Sequence, residues 1–407
     1  MHDVNILFVH RTFPAQFRHL AAHLAADARY RVFAIGSHYA RPLPGIDLST
    51  YQVSETDVAS VHPFARRFEI ESRRAEQVLY AATHLKSSVA TPDVIFFHPG
   101  WGEHLALRDM FPDAYMVGYC EFYYRATGAD VGFDSEFPPL GVDGLVRLRA
   151  RNAATLLGLI DSDVAVSPTA WQRSLFPAEL RPKIHVVHDG IDVEAASPNP
   201  NAHFTIQNNG KTFRPGDEVI TFVGRNLEPY RGYHIFMRAL PIILTARPRA
   251  HVLIIGKGGV SYGATPPPGR TWKELFLSEV ADQLDLTRVT FCDTLPYQQF
   301  LAAMQVSRVH VYLTYPFVLS WSILEAMACE CLIVGSDTPP VKEVISHGQN
   351  GLLVPFFSPD ELAQMVIAAA SEPEKYRHLR KAARRTIIDR FDLKKICLPR
   401  WLSFVPR

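Results

Sequence analysis

The sequence is short of several things, and each shortage removes a class of protein. It lacks an excess of either charge: 42 Lys and Arg stand against 41 Asp and Glu, a net of +1. Without a basic surplus there is no electrostatic argument for a nucleic-acid partner. Within residues 1–192 acidic side chains slightly outnumber basic ones, which weakens the case for a strongly basic membrane-docking face. Cysteine is scarce. The five (Cys120, Cys292, Cys329, Cys331, Cys397) lie in apolar runs without metal-ligand spacing, and Cys329-x-Cys331 is too tight for a zinc knuckle. They read as free buried thiols in a reducing cytosol. No apolar run approaches the roughly 18 to 20 residues that a membrane-spanning helix needs. The chain runs directly into a strand, so no signal peptide is expected, and the expected location is cytoplasmic. The first strand-loop-helix unit lacks a G-x-G-x-x-G fingerprint, so neither a nicotinamide nor a flavin cofactor is expected.

What is there is an α/β pattern long enough for two domains: 407 residues, 47% of them hydrophobic. Short apolar runs read as buried strands at residues 5–9, 30–35, 93–97, 115–119, 164–167 and 184–187. Helices fall between them, including Phe68–Lys86 and one long helix over Val142–Leu159. The first of these carries Arg66, Arg67, Arg73 and Arg74 balanced by Glu69, Glu71 and Glu76, and reads as a solvated face. Pro198–Gly216, rich in Pro, Asn and Gly, reads as an interdomain linker. A second strand-helix series starts at Val219. Polar residues sit where strands end, which is where open α/β sheets bind ligands. They are His98 and Glu103, then Glu121, then Asp189. Asp161-Ser162-Asp163 joins a helix to a strand and reads as capping and turn chemistry, so no metal ligand is assigned.

The most informative stretch is Val311–Asp337, VYLTYPFVLSWSILEAMACECLIVGSD. It reads as strand, helix, strand: a βαβ crossover whose helix is capped by Ser320 or Ser322. The free N–H groups at such a helix start can bind an anion. Glu325, close to that end, would repel a phosphate. It fits better as an acceptor for sugar hydroxyls, or as a solvated residue interacting with the helix dipole.

LEAMACECLIVGSDTPPVKEVISHGQNGLLVP resembles the donor-binding signature of retaining family 4 glycosyltransferases, which have the GT-B fold. Gly224-Arg225-Asn226-Leu227-Glu228-Pro229-Tyr230-Arg231-Gly232 is similar to that family's GRxxxxKG motif, and His188-Asp189-Gly190-Ile191-Asp192 to its NGVD segment. The resemblance implies two Rossmann-like domains with parallel sheets facing a central cleft. It places an acceptor-binding domain at 1–195, a linker at 196–216 and a donor domain at 217–390, with a C-terminal helix (about 391–407) crossing back to the first domain. It implies transfer of a hexose-type sugar from a UDP- or GDP-type donor, with retention and without metal or other cofactor. The acceptor is a glycan, a lipid-linked saccharide or a small molecule, and the setting allows peripheral association with the inner face of a membrane.

Carried over residue by residue, Arg225 and Arg231 bind the diphosphate, Ser320, Trp321 and Ser322 offer the helix start, and Glu325 binds ribose. Gly224, Gly256 and Gly258 allow close backbone approach, and Thr294 and Leu295 meet the base. Fixed cations at the diphosphate stabilise a leaving group that gains charge as the bond breaks, which suits metal-free chemistry. His98 and Glu121 are the catalytic candidates of the first domain, and Phe13, Gln16, Glu103 and Asp189 the acceptor-side candidates. Two departures stand out. The family's first glutamate, a ligand of the donor sugar, is Phe317 here, and its usual first-domain histidine is replaced near Glu121. These departures keep open a sugar-nucleotide epimerase or hydrolase, or a catalytically silent relative.

Overall fold

The computed structural model describes residues 4–54, 58–88, 91–207 and 210–405. Residues 208 and 209 of the expected linker, and 406 and 407 of the expected C-terminal segment, lie outside them. The chain divides into two compact units, Met1–Gly190 with Lys394–Arg407, and Ile191–Leu393.

The first unit is built on β1 (Val4–Val9), β2 (Tyr30–Ser37), β3 (Ile46–Tyr51), β4 (Val94–Phe97), β5 (Tyr115–Tyr119), β6 (Val164–Ser167) and β7 (Ile184–Val186). They form one parallel sheet in the order β3-β2-β1-β4-β5-β6-β7. Helices cover both faces, so the central strands are apolar on both. Ile6 and Phe8 pack with Phe17, Phe96 and Trp401, while Leu7 and Val9 pack with Val78, Phe97 and Phe111. Strand β3 was not anticipated. It is an edge strand, and its sequence IDLSTY leaves Asp47, Ser49 and Thr50 exposed.

The single helix expected over Val142–Leu159 is two, Val142–Ala150 and Ala153–Asp161. Buried Asn152 sits at the break. Its side chain accepts from the Tyr124 N–H and donates to the Tyr124 carbonyl, so it ties a loop down instead of continuing a helix. Asp163 accepts from Arg108 and from the Met116 N–H, which joins that helix end to the sheet.

The second unit opens with a hairpin, β8 (Phe204–Thr205) and β9 (Thr212–Phe213). It lies inside the stretch expected as a linker, but Phe204, Ile206 and Phe213 are buried in this unit's core. Three apolar residues among prolines and asparagines were the overlooked signal. The sheet comprises β10 (Val219–Asn226), β11 (His251–Lys257), β12 (Val289–Cys292), β13 (Val309–Tyr312), β14 (Leu332–Ser336) and β15 (Leu352–Val354). It is parallel, in the order β12-β11-β10-β13-β14-β15. The expected βαβ crossover is β13, the helix Trp321–Ala328, and β14.

Both sheets reverse their strand order once. The switch lies between β1 and β4 in the first unit and between β10 and β13 in the second, and the crevice outside the carboxyl ends at such a point is where ligands bind. The C-terminal segment belongs to the first unit: Trp401 donates its indole N–H to the His188 carbonyl, and Arg400 bonds the Val186 carbonyl. The five cysteines are free. No helix among the described residues is long and apolar enough to cross a membrane.

Candidate active site

In the second unit, cationic residues lie at the carboxyl ends of β10 and β11, beside the switch point. Arg225 lies near the end of β10 and Lys257 ends β11, where Asn226 pairs with Lys257. Both side chains are exposed, and neither makes a hydrogen bond or ion pair among the described residues. Arg231 follows a short turn after β10 and is only 6% exposed. Its Nη1 donates to Tyr312 Oη (3.2 Å), Thr314 Oγ1 (2.8 Å) and the Val318 carbonyl (2.9 Å). Tyr312 Oη also accepts from the Ser320 N–H at 2.9 Å. One phenol therefore couples a buried guanidinium to the start of the crossover helix.

That helix start is built as the sequence suggests. Ser320 is the N-cap, and its Oγ accepts from the Ser322 N–H at 3.3 Å. The amides of Ser320 and Ser322, expected to face an anion, are thus already bonded within the unit. Trp321 between them is 43% exposed. Glu325 lies one turn on, half-buried, and its carboxylate accepts from the Tyr297 hydroxyl. Burial pushes both groups up, and the nearby carboxylate adds to the rise at Tyr297. Thr294 and Leu295 lie in the turn before the helix Tyr297–Val306; Thr294 is exposed and Leu295 packs on the core. A side chain on Gly256 would strike the Gly224 carbonyl, so these two positions bring neighbouring strand ends together; one on Gly258 would only touch Thr271 at ordinary contact distance. Phe317 is 3% exposed, covered by Tyr230 and Tyr262 with ring centroids at 5.4 and 4.7 Å.

In the first unit the switch point gathers histidines around a carboxylate. His10 follows β1 and His98 follows β4, their rings edge to face with centroids 5.2 Å apart. His98 Nδ1 accepts from the Gly100 N–H at 3.1 Å, so its proton sits on Nε2, 3.5 Å from Glu121 Oε2. His10 Nδ1 accepts from the Thr12 N–H at 3.0 Å, so its Nε2–H is turned to Gln16. Gln16 in turn donates to Glu121 Oε1 at 2.9 Å. Burial, and then the neighbouring His98, hold His10 well below the usual imidazole range, so it is neutral. The Glu121 side chain is 26% exposed and is the open member of the group. Asp189 is buried and bonded to Tyr119, whose phenol burial pushes up.

Two acceptor-side candidates, Phe13 and Glu103, are buried. Phe13 is a core residue packed near Phe8, with ring centroids at 6.0 Å. Glu103 is fully buried, with the Tyr51 hydroxyl donating to it and Arg74 nearby; burial lifts its carboxyl to about 7. The helix Arg66–Ser88, read as a solvated face, is partly interior because Glu71 and Arg74 are buried. Arg67 and Arg74 bond the carbonyls of Gly100 and Trp101, so this helix fixes the turn that carries His98. Gly102 (φ +84°) closes that turn, where a Cβ would lie 2.3 Å from Glu71 Cβ.

Sequence reasoning missed His10, Lys257, Tyr297 and Tyr312. The available signal for the first two was a polar residue directly ending a buried strand. Tyr297 and Tyr312 gave no signal, because their roles depend on contacts between distant residues.

Residues 28–196 match the Glycosyl transferase family 4 group, and residues 204–386 match the Glycosyl transferases group 1. The chain belongs to this glycosyltransferase family. It is 26% identical over 208 residues to D-inositol 3-phosphate glycosyltransferase of Jonesia denitrificans, a match covering 50% of this chain and 47% of that protein. It is 26% identical over 251 residues to alpha-maltose-1-phosphate synthase of Mycolicibacterium smegmatis, covering 58% and 61%. The matches thus span about half the length of these curated relatives. The solved sucrose-phosphate synthase of Thermosynechococcus elongatus superposes with a TM-score of 0.73 at 16% identity, over 98% of both chains. Anabaena HepE in complex with UDP and glucose gives 0.63 at 15%, again over 98% of both. The chain keeps the GT-B fold of these structures.

Proposed function

We propose that this glycosyltransferase moves a hexose-type sugar, with retention and without a metal ion, from a nucleoside diphosphate donor on its second unit to an acceptor hydroxyl on its first. The observation that carries the reading is the set of cationic residues at the carboxyl ends of β10 and β11, beside the second switch point. The side chains of Arg225 and Lys257 are exposed and have no partner among the described residues, and the nearby Arg231 is locked to the helix start through Tyr312. Unpaired cations there suit a diphosphate, which gains charge as the glycosidic bond breaks, and their attraction strengthens toward the transition state. That charge compensation takes the place of a divalent ion.

The donor nucleotide is of the UDP or GDP type. A solved structure of similar fold holds UDP and glucose. Glu325 with Tyr297 receives the ribose hydroxyls. On the other unit, Glu121 orients the acceptor hydroxyl while His98 and Gln16 hold its carboxylate. The leaving diphosphate takes the proton. Relatives named for inositol phosphate and maltose 1-phosphate favour a polyhydroxylated acceptor, a small molecule or the end of a glycan, lipid-linked or free.

The test is a transfer assay with radiolabelled UDP-, GDP-, ADP- and dTDP-sugars against polyol, sugar phosphate and glycan pools. Acceptor-dependent release of nucleoside diphosphate, reduced on the order of 100-fold or more in Glu121→Gln, is the expected result. Release of free sugar at a rate no acceptor alters would make the protein a hydrolase and overturn the reading.

A further inference from the structure

The segment 261–270 lies in the loop between β11 and the helix Trp272–Val280. In the structure it is pinned from below by the Arg225–Arg231 segment. Glu228 is fully buried, and its Oε2 accepts from the N–H groups of Ser261 (3.0 Å) and Tyr262 (3.3 Å). Asn226 donates to Ser261 Oγ at 2.5 Å, and the Trp272 indole donates to the Ala264 carbonyl at 3.0 Å. Gly263 lies so close to the Tyr230 ring that a Cβ would approach to 2.9 Å. A buried carboxylate spent on two loop amides is a costly arrangement, and here it fixes the position of one side chain.

That side chain is Tyr262. Arg231 lies over two rings, Tyr262 at 5.6 Å and Phe317 at 5.8 Å. Phe317 is buried, whereas Tyr262 is partly exposed. A glycosyl group bonded to a diphosphate at Arg231 would lie near these rings, and the more accessible of the two is Tyr262. Aromatic faces bind the C–H face of a sugar by burying apolar area without demanding a hydrogen bond.

We propose that Tyr262 is the stacking platform for the donor's glycosyl group, and that Glu228 is the positioning residue that holds it there. This rests on the nucleoside-diphosphate reading above. The substrate class it names is a donor sugar recognised through a C–H face, with binding energy that a free nucleoside diphosphate does not gain.

The experiment compares dissociation constants by calorimetry. The first ligand is whichever of UDP, GDP, ADP and dTDP binds the wild-type protein most tightly. The second is the tightest of its glucose, galactose, mannose and N-acetylglucosamine esters. Tyr262→Ala is expected to lower the preference for the ester over the free diphosphate by about tenfold, while the diphosphate affinity itself holds. Tyr262→Phe should keep the preference. Glu228→Ala should lose it and Glu228→Gln, which retains an acceptor oxygen, should recover it. An unchanged preference in Tyr262→Ala overturns the proposal, as does an equal loss in Tyr262→Phe, which would mean the hydroxyl matters and the ring does not. Failure of every diphosphate to bind wild type would instead remove the nucleoside-diphosphate reading on which this one stands.

Discussion

At the scale of single residues, burial decides which of the candidate groups are open to a ligand and which are part of the scaffold. Glu103 and Glu121 both follow strands of the same sheet, yet one is sealed in and the other is partly exposed. The consequence for Glu103 is a dependence of stability on pH. Its carboxyl is lifted to about 7 in the folded protein, chiefly by burial. The unfolded chain ionises it near the ordinary value, so its contribution is present below about pH 4.5 and lost as pH rises through 7. Glu103→Gln keeps an acceptor for the Tyr51 hydroxyl and removes the ionisation. Urea unfolding should find the variant more stable than wild type at pH 8, with the gap closing by pH 5. A gap of constant size across that range would show that Glu103 does not titrate between the two states.

At the scale of elements, the crossover from β13 to β14 shows what a sequence carries and what it omits. The capping serine, the helix and the following strand were all legible, because periodicity and capping chemistry are local. The end of that helix carries an anomaly. Glu330 adopts φ +59°, in the left-handed region, while the Cys331 N–H reaches back to the Ala326 carbonyl and the Glu330 N–H to that of Met327. This is the helix-ending geometry in which glycine is favoured, because a side chain costs on the order of 1 kcal/mol there. Arg380 bonds the Glu330 carbonyl, a backbone group that any residue supplies. Glu330→Gly should therefore stabilise the second unit by roughly 0.5 to 1 kcal/mol, seen as a higher unfolding midpoint. A lower midpoint would show that the Glu330 side chain makes up for its backbone strain.

The elements that were misread share a cause: their conformations are set by distant contacts. Asn152 breaks a helix that periodicity alone would continue, because it bonds Tyr124 some thirty residues earlier. Residues 196–216 have loop composition, yet three apolar side chains anchor their described part in a core. The helix Arg66–Ser88 looks solvated by charge count, but buried Glu71 and Arg74 take part in a network that holds the His98 turn.

At the scale of the molecule, two parallel sheets each place chemically active side chains at the point where strand order reverses. Alternation of strands and helices made that architecture readable, and the strand-end motifs marked polar residues that the structure places at the carboxyl ends of the sheets. The sequence could not say which strand-end residues face outward. It singled out Phe317, whereas the structure buries that ring and leaves the neighbouring Tyr262 partly exposed. It named Arg225 and Arg231 as equals, whereas Arg225 is exposed and unpaired among the described residues and Arg231 is held by Tyr312, Thr314 and Val318.

That difference makes Arg225 the sharpest probe of the whole account. Losing an exposed side chain without protein partners should cost the fold almost nothing. Losing a cation from a diphosphate site should cost binding on the order of 1.5 to 3 kcal/mol. Calorimetric titration of UDP, GDP, ADP and dTDP into wild type and Arg225→Ala, with melting curves of both, tests this directly. The account predicts that at least one nucleoside diphosphate binds wild type, that it binds Arg225→Ala about tenfold or more weakly, and that the melting temperatures coincide. Equal affinity in the two proteins, or no binding to wild type, would contradict it.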